Sequence, residues 1–335
     1  MPLSHDLSGL VSRRQVLSAL CATTSAALTT SMARAQGNFP GRPVTVVVPY
    51  PPGGQGDVFA RLIANDLGKA LGQSVIVDNR PGASGALGTR MVVRAPADGL
   101  TLLLGQTGEI AINGAAMNSP GYDSLKDLQG VALVGDSPLV LAVPASAPWK
   151  SLDDLIAAAK AASGKVAYAS SGTATPGHLA AAALAEAAKV QMVHIPYKGA
   201  GQAITDLIGA QVQFFMASTP SILSHVKGGK VRALAVTGLE PIAALPGVPT
   251  VAEKFPGFEF SLWGGYFAPR QTPAPVVQLL SQRINQIVQQ PALKARFEAE
   301  GTLVKSYTPQ EVDAFVRKEI TKYRQLVRST SVLID

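Results

Sequence analysis

Cysteine is nearly missing from this chain of 335 residues: there is one, Cys21. It lies in an N-terminal stretch with the marks of an export signal, so the mature chain is expected to carry no thiol. That excludes disulfides, CxxC redox chemistry and Cys-ligated metal. Histidine is almost as scarce. Beyond the N-terminal stretch there are only His178, His194 and His225, with no HExxH and no paired-ligand spacing, so no metal centre and no cofactor is expected. Aromatic residues make up 6% and charged residues 15%, and the formal net charge of +7 is spread without a Lys/Arg cluster. Nucleic-acid binding, which needs a basic face and stacking rings, is excluded, and the charge reads as mild steering of anions.

Signatures of catalysis are also lacking. Gly82-Ala83-Ser84-Gly85-Ala86 misses the last glycine of a nucleophile elbow,. Gly172 to Gly177 has P-loop spacing, but His178 and Leu179 stand where the Lys and Ser/Thr of that loop hold phosphate and magnesium,. Gly54-Gln55-Gly56 after a strand, with Asp78 at the end of the next, imitates a dinucleotide fingerprint, yet Phe59 occupies the place of its third small residue,. The chain is therefore not expected to be an enzyme.

What is abundant is apolar residue, 47% of the chain, enough to fill the cores of two domains. Residues 1–35 read as an export signal of the twin-arginine type, from Ser12-Arg13-Arg14-Gln15-Val16-Leu17 to Ala33-Arg34-Ala35 before Gln36, with Sec export as the alternative. Leu20 before Cys21 argues against a lipoprotein. The apolar run inside the signal is too short for a membrane anchor, and no later one is longer.

After the signal, strand and helix alternate. Val44 to Val48 suits a buried parallel strand, followed by the glycine turn Gly53-Gly54-Gln55-Gly56-Asp57 and a helix with Phe59, Ile63 and Leu67 on one face, closed near Gly72,. Ser74 to Asp78 and Leu100 to Leu104 are further strands, the latter opening into Gln106 and Thr107. Leu139 to Val143 reads as a strand crossing to a second α/β unit, and Leu262 to Ala268 as the return,. Helices from Pro275 onward are expected to pack on the first unit. The predicted fold class is α/β with two domains, each a mixed, mainly parallel sheet flanked by helices. Residues 36–138 and 263–335 form one domain and residues 139–262 the other, hinged near Leu141 and Tyr266.

Ser170-Ser171-Gly172-Thr173-Ala174-Thr175-Pro176-Gly177-His178 is the most informative stretch. Thr175 suits an N-cap and Pro176 the first helical position. Free backbone N–H groups at a helix start, beside four short hydroxyl side chains, make a cradle for an anion such as a carboxylate. His178 can add a donor. The same residues also describe a capped helix with nothing bound.

Five motifs in order, Pro51-Pro52-Gly53-Gly54-Gln55-Gly56-Asp57, Asn79-Arg80-Pro81-Gly82-Ala83-Ser84-Gly85, Ala97-Asp98-Gly99, His194-Ile195-Pro196-Tyr197-Lys198-Gly199 and Leu245-Pro246-Gly247-Val248-Pro249-Thr250, carry a resemblance. The chain resembles the Bug, or TctC, family of substrate-binding proteins of tripartite tricarboxylate transporters. The resemblance implies a periplasmic two-domain clamp of the type II, Venus-flytrap kind, monomeric, holding a small carboxylate between its domains. It implies a TctA/TctB-like membrane pair as partner, with a sensor kinase as the alternative partner and an exported enzyme on the same fold as the more remote one. By position it implies binding roles for Gly53, Gly54, Gln55, Gly56 and Asp57 on one side, Gln106 and Thr107 beside them, and Ser170, Ser171, Thr173, Thr175 and His178 on the other. Two departures stand out. Gly56 lies where many relatives carry Thr, and Ala217-Ser218 replace a frequent Asp-Asn pair whose Asp meets the ammonium of amino-acid ligands. An aromatic or aliphatic mono- or dicarboxylate is then the expected ligand, presenting a neutral face to Ala217.

Overall fold

The computed structural model describes residues 39–330 and 332–333, so the expected export signal and Cys21 lie outside the described residues. By its contacts the chain divides into residues 1–41 and 42–335, and every element named here belongs to the second unit.

Three parallel strands open the fold: β1 (Val44–Val48), β2 (Val75–Asn79) and β3 (Thr101–Gln106), with β1 central and Val44 opposite Val75, Thr45 opposite Thr101. β1 is almost wholly buried, as expected of a β-branched run in a parallel sheet,. Helix α1 (Gln55–Leu71) buries Phe59, Ile63 and Leu67 and ends at Gly72, whose φ of 67° only glycine adopts cheaply,. Helix α2 (Ala86–Val93) follows the second strand, and after β3 a π-turn over Gly108–Ile112 runs into one helical turn.

Strand β4 (Leu128–Pro144) is 17 residues long, far longer than the segment legible in sequence. Glycines, an aspartate and a proline hide its first part, because each weakens strand propensity. The structure requires two of them. A Cβ at Gly130 would meet Val312 at 2.5 Å, and one at Gly135 would meet Thr302 at 2.6 Å. Up to Pro138, β4 pairs antiparallel with β9 (Ser261–Pro269), which in turn lies antiparallel to β3. From Leu139 it belongs to a second sheet.

That second sheet contains β5 (Ala167–Ser170), β6 (Val193–Pro196), β7 (Phe214–Ser218) and β8 (Val231–Val236). β5 lies parallel between β6 and β7, while β7 and β8 flank β4 antiparallel. Along the path from β2 to β6 the parallel strands are at the two ends and the antiparallel ones central, with β8 and β10 added antiparallel on β4, a mixed α/β arrangement in which β4 serves both sheets. Helices α3 (Leu152–Ala161), α4 (Pro176–Ala188), α5 (Ala200–Ile208) and α6 (Thr219–Lys227) connect these strands. Ser151 and Asp154 form a capping box on α3,.

The chain passes between the sheets at two adjacent points. Thr237, fully buried, accepts a hydrogen bond from Leu139 N (2.8 Å) and donates one to the Phe260 carbonyl. Of the residues near which a hinge is expected, Leu141 pairs inside the second sheet and Tyr266 inside the first. The crossings lie where the pairing ladders change partners, at Pro138–Leu139 and Phe260–Ser261.

Helices α7 (Ala274–Val288) and α8 (Pro291–Ala299) lead to β10 (Leu303–Val304), which pairs with β4, and to the last helix, α9 (Pro309–Thr330). α9 does more than cover the first sheet. Glu319 accepts from Trp263 Nε1 on β9 (2.9 Å), and near the other end Ser329 donates to Glu186 on α4 (3.1 Å).

Where β9 and β4 run side by side, a Cβ at Gly265 would lie 2.8 Å from the Ala132 carbonyl oxygen. Gly265→Ala is expected to cost about 1–3 kcal/mol. Thermal unfolding should show a Tm lower by roughly 2–4 °C for each kcal/mol lost.

Candidate functional site

A cavity of about 1130 Å³ opens where the carboxyl ends of strands from both sheets face each other. Four helices begin on its wall: Gly54 and Gln55 of α1, Thr175 to Gly177 of α4, Gly199 and Ala200 of α5, and Ser218 to Ser221 of α6. At none of the four does an N-cap side chain accept from a first-turn backbone N–H: Gly54 and Gly199 have none to offer, the Thr175 hydroxyl turns back to Gly172, and the Ser218 hydroxyl donates to that of Ser221 (3.0 Å). First-turn N–H groups and four positive dipole ends therefore gather at one place, and of the four only α1 carries an acid in its first turn, Asp57,. Between them the wall is apolar, with Val58, Phe59, Leu139, Phe215, Met216 and Leu262. Among the described lining residues the Asp, Glu, Lys or Arg side chains are Lys227 and Glu300. Such a surface takes an anion with an apolar body.

The wall is held under backbone strain. Ser84 (φ 50°) and Ala174 (φ 55°) adopt left-handed conformations costly for residues with a Cβ, and both line the cavity,.

Of the residues singled out in sequence, Gly53, Gly54, Gln55, Gln106, Ser171, Thr173, Thr175 and Ser218 line the cavity. Gln55 is anchored by donating from Nε2 to the Leu262 carbonyl (2.8 Å), while its Oε1 is buried with no partner. Thr175 is the N-cap of α4 by position, but its hydroxyl donates back to the Gly172 carbonyl (2.8 Å) and bends the loop.

The other six lie behind the wall. Gly56 faces Gln106, whose Oε1 would stand 2.8 Å from a Cβ there, so the Gln106 side chain occupies the room a threonine would need. Asp57 is turned inward, accepting from Gly53 N (2.9 Å) and Arg61 Nε (2.9 Å). Burial acts to raise its pKa, but the bonds from Arg61, Gly53 and Asn79 outweigh it and hold the carboxyl below the usual range,. It braces the glycine turn. Thr107 ties β3 to β9, accepting from Trp263 N (3.0 Å). Ser170 is fully buried, with Oγ 2.7 Å from His194 Nε2. Ala217 packs in the apolar core of the second sheet with Ala169 and Ile222 and is not part of the cavity lining, whereas the neighbouring Ser218 is.

His178, expected as a donor to ligand, is an internal brace. Its Nδ1 accepts from Ala174 N (3.0 Å), and its ring stacks on His194 at 3.5 Å. Burial, and then the neighbouring His194, push its pKa down to about 3,. It is neutral and supports the strained Ala174.

Sequence reading passed over Tyr50, Asn113, the start of α5 and the Pro220-Ser221-Ser224 face of α6, all of which line the cavity. The α5 start was legible in principle, since Tyr197-Lys198-Gly199 is a glycine turn between strand and helix like the two that were recognised.

Residues 59–332 match the family described as "Tripartite tricarboxylate transporter family receptor", TctC. The chain belongs to the TctC family. It is 38% identical over 294 residues to the protein BugT of Bordetella pertussis, covering 87% of this chain and 90% of that one. Among solved structures it is similar to R. palustris Rpa4515 with adipate, at TM-score 0.82 and 31% identity, covering 88% of this chain and 99% of that one. It is also similar to MatC (Rpa3494) of Rhodopseudomonas palustris with bound malate, at TM-score 0.77 and 31% identity, covering 86% of this chain and all of that one. The fold is thus that of the two-domain periplasmic binding proteins, and the similar solved structures include the periplasmic binding protein BugD and a TctC solute binding protein from Polaromonas.

The histidine pair makes a test of its own. A histidine whose folded pKa is depressed stabilises the protein above pH 6.5, and this contribution is lost as pH falls toward the folded value,. Between pH 7 and pH 5 the loss for His178 is about 2 kcal/mol. His178→Asn keeps an acceptor for Ala174 N and cannot titrate, so denaturant unfolding should show a shallower acid decline than in the parent chain.

Proposed function

We propose that this protein is a periplasmic receptor that captures a small organic carboxylate, an aliphatic or aromatic mono- or dicarboxylate, and delivers it to the membrane subunits of a tripartite tricarboxylate transporter. The observation that carries the reading is the meeting of four helix N-termini, none capped by a side chain, at one largely apolar cavity. Family membership and the adipate and malate held by similar proteins support the same ligand class.

In this reading Gly54, Gln55 and Gln106 hold the acid from one domain, residues 36–138 with 263–335. Ser171, Thr173, Thr175 and Ser218 hold it from the other, residues 139–262. The strained loop at Ala174 presents its donors without rearrangement. At about 1130 Å³ the cavity is larger than a small acid fills, so the domains close on it by bending at Pro138–Leu139 and Phe260–Ser261. Closure strips water from the carboxylate, and the free backbone N–H groups replace it. Export is by a twin-arginine or Sec signal over residues 1–35, and the receptor works as a monomer. A sensor kinase as the recipient is the second reading, resting on the same cavity.

A thermal-shift screen of the chain from Gln36 against adipate, malate, benzoate and amino acids tests the ligand class. A ligand at about 100 times its Kd adds roughly 2.7 kcal/mol, enough for a Tm rise of several degrees. Stabilisation by the carboxylates and not by amino acids is expected, and Ser171→Ala and Thr173→Ala should each weaken binding by about tenfold. A response confined to amino acids would sink the reading.

A further inference from the structure

Directly behind the cavity wall lies a carboxyl group that the capture of an acid does not require. Glu109 is fully buried in the π-turn Gly108–Ile112. Its Oε1 accepts from Gln106 N at 2.5 Å and its Oε2 accepts from the Tyr50 hydroxyl at 2.8 Å. Tyr50, Gln106 and Gly108 all line the cavity, so a single side chain separates this carboxyl from it. Two glycines make the approach possible. A Cβ at Gly108 would lie 2.8 Å from the Tyr50 hydroxyl, and one at Gly85 would lie 3.3 Å from Glu109 Oε2.

We propose that Glu109 is a positioning residue that couples the binding of an organic anion in the cavity to the uptake of one proton. The inference rests on the carboxylate reading of the same site. A purely structural group in this place has no need of a charge, since a glutamine would accept from Gln106 N with its oxygen and donate to the Tyr50 oxygen with its amide, that bond reversing direction,. Nor does a cation neutralise it: among the described residues no lysine or arginine forms an ion pair with Glu109. The titratable groups that face it are Tyr50 from the loop after β1 and Tyr122, whose hydroxyl donates to the Glu109 carbonyl at 2.6 Å. Arg90 on α2 is engaged with the Pro120 carbonyl (3.0 Å), and Glu319 on α9, the helix packed against the π-turn, is held by Trp263 and Lys322.

Burial dominates this environment. It pushes the Glu109 carboxyl up to about 7, against the pull of the hydrogen bonds from Gln106 and Tyr50,. The group therefore changes charge near neutral pH. An anion seated on the other side of Tyr50 and Gln106 repels the ionised form and favours the protonated one, and by reciprocity protonation strengthens anion binding.

The test compares the parent chain with Glu109→Gln and Tyr50→Phe. Without ligand, a buried acid with a raised pKa stabilises the fold below its unfolded value, near 4.5, and the contribution disappears as pH rises through about 7,. Denaturant unfolding should show that decline in the parent, none of it in E109Q, and a shift of it to higher pH in Y50F, which lacks one bond to the ionised form. Calorimetry with adipate, malate and benzoate, all ionised from pH 6 to 8, should show affinity falling about tenfold over that range in the parent and staying flat in E109Q. Parallel stability profiles for parent and E109Q overturn the proposal, as does a pH dependence of binding that survives E109Q. If none of the acids binds at any pH while the stability profiles still differ, the carboxylate reading fails and the coupling falls with it.

Discussion

A backbone N–H at the start of a helix has no partner within the helix, and in this protein four helices begin at one cavity without a side chain to cap them. That deficit organises the site. Capping each helix with its own hydroxyl would be simple, and Thr175 stands in position to do so, yet its hydroxyl is spent on the Gly172 carbonyl. The result is a surface whose polarity comes mostly from main chain and neutral hydroxyl and amide side chains, with apolar side chains between them. The cavity sets these fixed dipoles beside the apolar side chains of Val58, Phe59 and Leu262.

Holding those helix starts in register demands rigidity behind them. Asp57 clamps the first glycine turn through Gly53 and Arg61, and the His178–His194 stack props the second beneath Ala174. Thr237 links the two strand crossings by bonding to both Leu139 and Phe260. His178, expected in sequence as an added donor, and Asp57, expected in the site from the resemblance, are therefore consumed in shaping the loops. Neutral serine, threonine and main-chain groups are left facing the cavity.

Local pattern made much of this fold legible. The β-branched run of β1, the apolar face of α1, Gly72 and the Ser151–Asp154 box are statements about neighbouring residues, and they hold because tertiary context agrees with them,. The first part of β4 was not legible, since Gly130 and Gly135 are dictated by Val312 and Thr302, residues more than a hundred positions away. The same distinction divides the site. Glycine turns between strand and helix marked the loops of α1 and α4, because such turns carry a sequence signature. Which way Asp57, Thr107 or Ala217 faces depends on packing across the sheet, which the one-dimensional pattern does not contain. Glu109 was silent for the same reason: an isolated glutamate has no period and no motif.

The placement of β9 sets a timetable for the nascent chain. β9 lies between β3 and β4 in the first sheet, but it follows the whole of the second sheet in sequence. The strands of the second sheet are complete once Val236 has been made. Until residues 261–269 arrive, the inner edge of β3 is an unpaired row from Leu103 to Gln106, all buried in the finished protein. Such an edge is a template for pairing with another chain. Any product that stops short of Ser261 keeps it bare, and such fragments will aggregate before they can serve as half-receptors.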